Sequence, residues 1–400
     1  MRWLILTLLF VATTINYLDR GILGVILPEI RRELTISTQA YGVIVFAFQI
    51  AYGIGALIGG TLLDRYGTRM GYAVSATFWS AAATLNAVAG SALQFGFFRT
   101  ALGLGEAPNF PVCSKAAAEW FPPNQRAMAM GVVNFGTNLA QIVGPPIFIA
   151  IALTLGWRAC FVIMGVLGFI WVPVWLFVYR LPPRAAGAPA VVRETSKLSI
   201  KQVVRYKQAW GYAIAKFLTD PVWWFYLVWL PTYFNDVRHF SPAERGAALT
   251  VVYAISGVGA VGGGAISSYL IRRGWTVGRA RKTTMAVCAV LMPIGGLGVL
   301  ATSDRTAILL FGLATAAHQA WMTNLFTSPA DVFPPEAVGS TNGFGVSLGA
   351  FGGALFSGII PGYLIPRLGY VPVFLTMHFF YLGAWWAVHK LMGNLEPVRL

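Results

Sequence analysis

The stretch Ala127–Arg180 reads AMAMGVVNFGTNLAQIVGPPIFIAIALTLGWRACFVIMGVLGFIWVPVWLFVYR, and before its last residue it holds a single charge, Arg158. Gly156-Trp157-Arg158 cuts it into two apolar blocks, near 127–152 and 157–180. At about 1.5 Å rise per residue, each block coiled as a helix crosses a hydrocarbon layer about 30 Å thick. Membrane strands would need only about ten residues with alternating apolar and polar character, and no such alternation occurs. Two membrane-crossing helices are therefore fixed, and the rest of the chain is read outward from them.

The pattern repeats in both directions. Spans fall near 3–27, 39–63, 71–90 and 92–115 before this stretch, and near 208–234, 247–270, 281–302, 306–330, 338–364 and 368–391 after it. The expected fold is an all-α membrane protein of twelve transmembrane helices. Arg180 to Lys207 is the only long polar connection, so residues 1–180 are expected to form one six-helix bundle, 181–207 a cytoplasmic linker and 208–400 a second bundle. Of the 400 residues 57% are hydrophobic and 11% charged, less than half the charged fraction, about 25%, of a soluble domain.

The net charge of +15 would suggest nucleic acid as a partner of a soluble protein. Here the basic residues follow the loops. With the N-terminus inside, inner segments hold nineteen Lys and Arg and outer loops seven (Arg31, Arg32, Arg158, Arg238, Arg245, Arg305 and Arg367). The positive-inside rule then puts both termini in the cytoplasm of a multi-pass cell-membrane protein, with the lipid bilayer and not nucleic acid as its surroundings. Met1-Arg2 runs into apolar residues with no small-residue cleavage site before Asp19-Arg20, so this segment reads as the first span and not as a signal peptide. Cys113, Cys160 and Cys288 are far apart and lack metal or redox spacing, which marks them as small buried hydrophobes. No P-loop occurs, and no cofactor or metal is implied.

A weak internal repeat supports six plus six. Glu119-Trp-Phe-Pro-Pro, followed by Asn134-Phe-Gly136, returns as Asp331-Val-Phe-Pro-Pro, followed by Asn342-Gly-Phe-Gly345. Each copy lies between the fourth and fifth spans of its half. Parallel repeats of this kind build carriers whose binding site lies near the membrane midplane.

Six charged residues fall well inside spans: Asp19, Arg20, Arg99, Glu106, Lys216 and Asp220. Each costs about 2.5–3.5 kcal/mol on insertion scales, so it must face protein or water. Arg20 and Arg99 come out at similar depth, and Glu106 lies two turns from Arg99 on the same helix face. Two guanidiniums at one level make an anion site, and Asp19 and Glu106 are the carboxyls able to take a proton. Entry of anion and proton together leaves the site's net charge almost unchanged, which is the physical basis of symport. A purely structural reading, in which these four residues form two ion pairs fastening span 1 to span 4, stays open. Asn134, Asn138 and Gln141 make one polar stripe along span 5, with Gln141 nearest the middle, and Gly144-Pro145-Pro146 is expected to break that helix. Span 7 carries the i, i+4 pair Lys216 and Asp220 with Trp223, Trp224 and Tyr226. Span 10 carries His318, Gln319, Trp321 and Asn324.

Gly60-Thr-Leu-Leu-Asp64-Arg65-Tyr-Gly67-Thr-Arg69 resembles the signature between spans 2 and 3 of the major facilitator superfamily. The resemblance implies a cytoplasmic conformational lock, formed by Gly60, Asp64, Arg65, Gly67 and Arg69, that stabilises the outward-open state. The corresponding stretch Gly264–Gly274 lacks the acidic residue. More narrowly, Asn16-Tyr-Leu-Asp19-Arg20, Arg99–Pro111, Lys216–Tyr226 and Ser328-Pro-Ala-Asp331-Val-Phe-Pro334 resemble the anion:cation symporter branch and its hexuronate transporters. The implied roles are substrate carboxylate binding for Arg20 and Arg99, and proton coupling for Asp19 and Glu106. Tyr17, Tyr52 and Gln141 would contact hydroxyls, with Lys216, His318, Gln319, Trp321 and Asn342 as second-half contacts. The function expected is import of a sugar acid, a hexuronate or aldonate, with a proton by alternating access, by a monomer. The rivals are an aromatic monocarboxylate as cargo, anion exchange, or a sensor that binds sugar acids without moving them. A lipid-modifying enzyme is disfavoured, because the four histidines at 239, 318, 378 and 389 are scattered and the charges lie within the membrane.

Overall fold

The computed structural model describes residues 1–121, 123–180 and 200–396; the side chains of 57–65, 118, 123–124, 126–127, 200–201 and 335–336 lie outside the description. Most of the expected linker, 181–199, is therefore not described. The described residues form helices and no strand.

Helix α1 spans Arg2–Leu34 and α2 spans Thr38–Asn86. The Ser37 side chain caps α2 by accepting from the Ala40 amide. Helix α2 holds two spans, which part at Gly67, where φ is +74°, a value that glycine reaches without a Cβ penalty. The fourth span is built from α3 (Ala92–Glu106) and α4 (Asn109–Trp120). Next come α5 (Pro123–Leu155) and α6 (Trp157–Val178), divided at Gly156 with φ of +84°. A short α7 (Ile200–Val203) precedes α8 (Lys207–Asp236), α9 (Pro242–Arg272), α10 (Val277–Gly296) and α11 (Asp304–Val332). The eleventh span joins α12 (Pro335–Gly353), a π-helical stretch Ala354–Ile359 and α13 (Ile360–Leu368); α14 (Tyr370–Leu391) is the twelfth.

One expectation is corrected here. Pro145 and Pro146 do not break the fifth span, because α5 runs through both without interruption. Neighbouring helices in a membrane re-satisfy the backbone groups that a proline frees.

Among the described residues, eight helical stretches are long and apolar enough to cross a membrane. The part of α2 beyond Gly67, the pair α3 and α4, which are 15 and 12 residues long, and helices α8 and α11 are not among them. Of these, α3 carries Arg99 and Glu106, α8 carries Lys216 and Asp220, and α11 carries His318 and Asn324. Helix α1 is among the eight although it buries Asp19 and Arg20, so hydropathy alone does not pick out the spans with buried charge.

The chain packs as two compact units. One comprises 1–185, 226–250 and 358–363, the other 186–225, 251–357 and 364–400. In the first, α2 and α6 lock through edge-on aromatics, with Tyr72 against Trp171 at 4.9 Å and Trp175 at 5.1 Å. In the second, α9 lies so close to α11 that a Cβ on Gly263 would stand 2.4 Å from the Cα of Ala320. Small residues permit such approaches where no hydrophobic force separates protein from lipid.

Candidate functional site

In the first unit, α1 and α3 bring Asp19, Arg20, Arg99 and Glu106 together. Arg20 Nε donates to Glu106 Oε2 at 2.6 Å, with both side chains at or below 2% exposure. The Arg20 guanidinium also lies over the rings of Tyr52, at 4.3 Å, and Tyr17, at 4.7 Å. Cation–π contact of this kind is stronger when desolvated, and it orients the fork.

Arg99 does something the sequence did not disclose. Its Nη1 donates to the backbone carbonyl of Asp19 at 3.1 Å and its Nη2 to that of Arg20 at 3.4 Å, while its guanidinium lies 5.2 Å from the Phe48 ring. It thus fastens α1 by its backbone and makes no salt bridge to Asp19. Both carboxyl oxygens of Asp19 are buried without a hydrogen-bond partner, as is Oε1 of Glu106. An unpaired buried carboxylate is costly, so Asp19 suits a group that binds a proton or receives a donor during function.

Gln141 on α5 is 5% exposed, with its amide nitrogen unpartnered. Asn138 donates to the carbonyl of Asn134, and Asn134 is exposed, so the polar stripe of α5 is buried only at Gln141. Among the described residues, four buried amides were given no role from the sequence, Asn16, Gln49, Asn86 and Asn109. Both amide atoms of Asn16 and Oε1 of Gln49 lack partners. An uncharged amide in an apolar run was the only signal, and it is a weak one.

In the second unit, Lys216 Nζ sits 2.9 Å from Asp220 Oδ2, at 2% and 15% exposure, and 4.2 Å from the Phe326 ring. His318 stacks on Trp223 at 5.0 Å and 9° and shares a hydrogen bond with the Tyr381 hydroxyl. Trp321 is fully buried and edge-on to Tyr381. Tyr212 donates to Asn342 at 3.0 Å, and Gln319 is half-buried.

In the lock motif, the side chains of Asp64 and Arg65, like residue Gly60, lie outside the description. Arg69 donates to the carbonyl of Leu176, whereas the indole of Trp175 donates to the carbonyl of Arg69 at 3.0 Å. Thr68 donates to Glu119 at 2.8 Å. At the other copy of the repeat, Asp331 pairs with Arg281 at 2.6 Å.

The model of the Major Facilitator Superfamily matches residues 9–357. The chain is 30% identical to the hexuronate transporter of Escherichia coli (strain K12), over 100% of this chain and 96% of that one. It is 31% identical to the hexuronate transporter of Bacillus subtilis (strain 168), over 85% and 82% respectively. Among solved structures, a bacterial homologue of the human lysosomal transporter Spinster superposes with a TM-score of 0.78 at 18% identity, covering 98% of both chains.

Proposed function

The chain belongs to the Major Facilitator Superfamily, and we propose from this premise that it imports a sugar acid, a hexuronate or aldonate, together with a proton by alternating access. Family membership makes it a multi-pass membrane transporter and not an enzyme. Its likeness to hexuronate transporters along the whole chain supports the cargo. We place it in the cell membrane as a monomer with both termini cytoplasmic, following the distribution of basic loops.

One observation carries the mechanism: Arg20 is bound by Glu106 while Asp19, one residue away, holds a buried carboxyl with no partner. Protonation of Glu106 would remove the charge that holds Arg20 and turn the guanidinium toward the substrate carboxylate. A carboxylate takes two parallel N–H bonds from such a fork, which makes it the natural replacement for Glu106. Arg99 would hold the α1 backbone in place while this exchange occurs, and Asp19, the other carboxyl able to take the proton, would accept a substrate hydroxyl. Tyr17, Tyr52 and Gln141 would fix the ring hydroxyls, with Lys216, His318, Gln319, Trp321 and Asn342 as contacts from the second half.

The test is uptake of labelled galacturonate and glucuronate into proteoliposomes, with and without an inside-alkaline pH gradient. Accumulation that needs the gradient establishes a proton symporter. Exchange only against preloaded anion would replace symport by antiport. Absence of uptake by folded protein would discard the hexuronate and turn the search to aldonates and aromatic acids.

A further inference from the structure

The first compact unit includes 226–250 and 358–363, segments that belong by chain order to the last six spans. Among the described residues, two ion pairs join 226–250 to α1, a partly exposed one between Arg31 and Asp236 at 3.7 Å and a buried one between Glu29 and Arg245. Arg245, on α9, is 1% exposed; its Nη2 lies 2.6 Å from Oε1 of Glu29 on α1, and its Nη1 donates to the side-chain oxygen of Asn235 at 3.0 Å. Arg245 Nε and Glu29 Oε2 are buried with no partner. Backbones also come close within the same unit. A Cβ on Gly24 would stand 2.2 Å from the Leu227 carbonyl, and one on Gly42 would stand 2.7 Å from the Cα of Gly362. Tyr41 adds a hydrogen bond to the carbonyl of Val228 at 2.9 Å.

We propose that Glu29 and Arg245 latch the outer face shut, and that Arg245 is an outer binding subsite for the substrate's carboxylate, occupied by Glu29 while the latch is closed. The outer location rests on the loop-charge orientation. The glycine seams close tightly but carry no charge, so they part without leaving an ion exposed. The pair behaves differently. On parting, Glu29, already 13% exposed, is hydrated at little cost, whereas the arginine keeps a guanidinium with free N–H groups in a sheltered place. Arg245 is bound in the closed state by one carboxylate oxygen and one amide oxygen, with Nε left over. An arriving carboxylate can take two N–H groups side by side and is the better ligand. An anion thus replaces Glu29 and a neutral sugar does not, which couples opening to the cargo's charge. Identification of that carboxylate as a sugar acid rests on the function proposed above, but the latch does not.

The test is made on the full chain in whole cells, labelled from outside with a membrane-impermeant maleimide. The native Cys113, Cys160 and Cys288 are all buried, so Ala248→Cys, 3% exposed and one turn from Arg245 on α9, serves as the reporter. Glu29→Gln is expected to raise its labelling rate about fivefold or more. Gly42→Ala, which wedges the seam without touching charge, is expected to shift the rate in the same direction. Neither variant accelerating the label, with protein present in the membrane, would overturn the latch. In the Glu29→Gln background, galacturonate and acetate are expected to protect the reporter and galactose is not. Protection should vanish in Glu29→Gln with Arg245→Gln. Equal protection by galactose, or protection surviving without Arg245, would overturn the subsite, as would absence of protection by both anions. Protection by acetate but not by galacturonate would uphold the subsite and count against the sugar-acid cargo.

Discussion

Glu106 has one carboxylate oxygen on Arg20 and the other facing no donor among the described residues, so a neutral isostere keeps its shape and loses its proton chemistry. Glu106→Gln is expected to retain galacturonate binding and counterflow while abolishing accumulation against a gradient; retained accumulation would move the coupling carboxyl to Asp19. A second residue-scale prediction concerns Glu33, beyond the first span. The Arg158 guanidinium at 2.5 Å, then the Trp157 indole at 2.7 Å, hold its carboxyl below the ordinary range. A depressed folded pKa contributes stability that is present above the unfolded value, about 4.3, and is lost as pH falls through the folded value. The melting temperature of Glu33→Gln should therefore lie below that of the native protein near neutrality. The gap should close once the pH falls below the folded pKa of Glu33; a constant gap would reject the assignment. At this scale the buried charges were legible wherever an ionisable group interrupted an apolar span, as at Arg20, Arg99 and Glu106. The sequence could not disclose which atoms each group would choose. Arg99 spends its donors on backbone carbonyls, and no residue pattern distinguishes that from a carboxylate partner.

Helix-scale features divide in the same way. Apolar blocks announced the spans, because the bilayer permits only helices there in the absence of a closed barrel. How those helices approach one another is written in glycine, and neighbouring glycines need not be equivalent. On α9 a Cβ at Gly263 would press on the backbone of Ala320, whereas one at Gly262 would meet nothing within 4 Å. Gly263→Ala is expected to cost about 1–3 kcal/mol through overpacking, and Gly262→Ala to stay within about 0.5 kcal/mol. Thermal unfolding in detergent decides the pair, and equal losses would mean that α9 and α11 are not held at this seam. The sequence shows Gly262-Gly263-Gly264 as one cluster, and only packing separates its members. The division of the fourth span at Ala107-Pro108 and the π-helical stretch at Ala354–Ile359 likewise depend on tertiary contacts that hydropathy does not encode.

On the scale of the whole molecule, charge bookkeeping decides what drives transport. Asp19, Arg20, Arg99 and Glu106 sum to zero when ionised. One monoanion entering with one proton keeps that sum, so the cycle moves no net charge and a membrane potential has nothing to act on. If Asp19 and Glu106 each carry a proton, one positive charge crosses per sugar acid, and an inside-negative potential of about 60 mV would support about tenfold accumulation. The buried ion pair that Glu106, and not Asp19, makes with Arg20 favours the first case. We therefore expect galacturonate accumulation in proteoliposomes to follow an inside-alkaline pH gradient and to ignore a potassium–valinomycin potential imposed at equal pH. Accumulation driven by the potential alone would assign the unpartnered carboxyl of Asp19 a second transported proton. Asp19→Asn should then restore indifference to the potential without abolishing uptake.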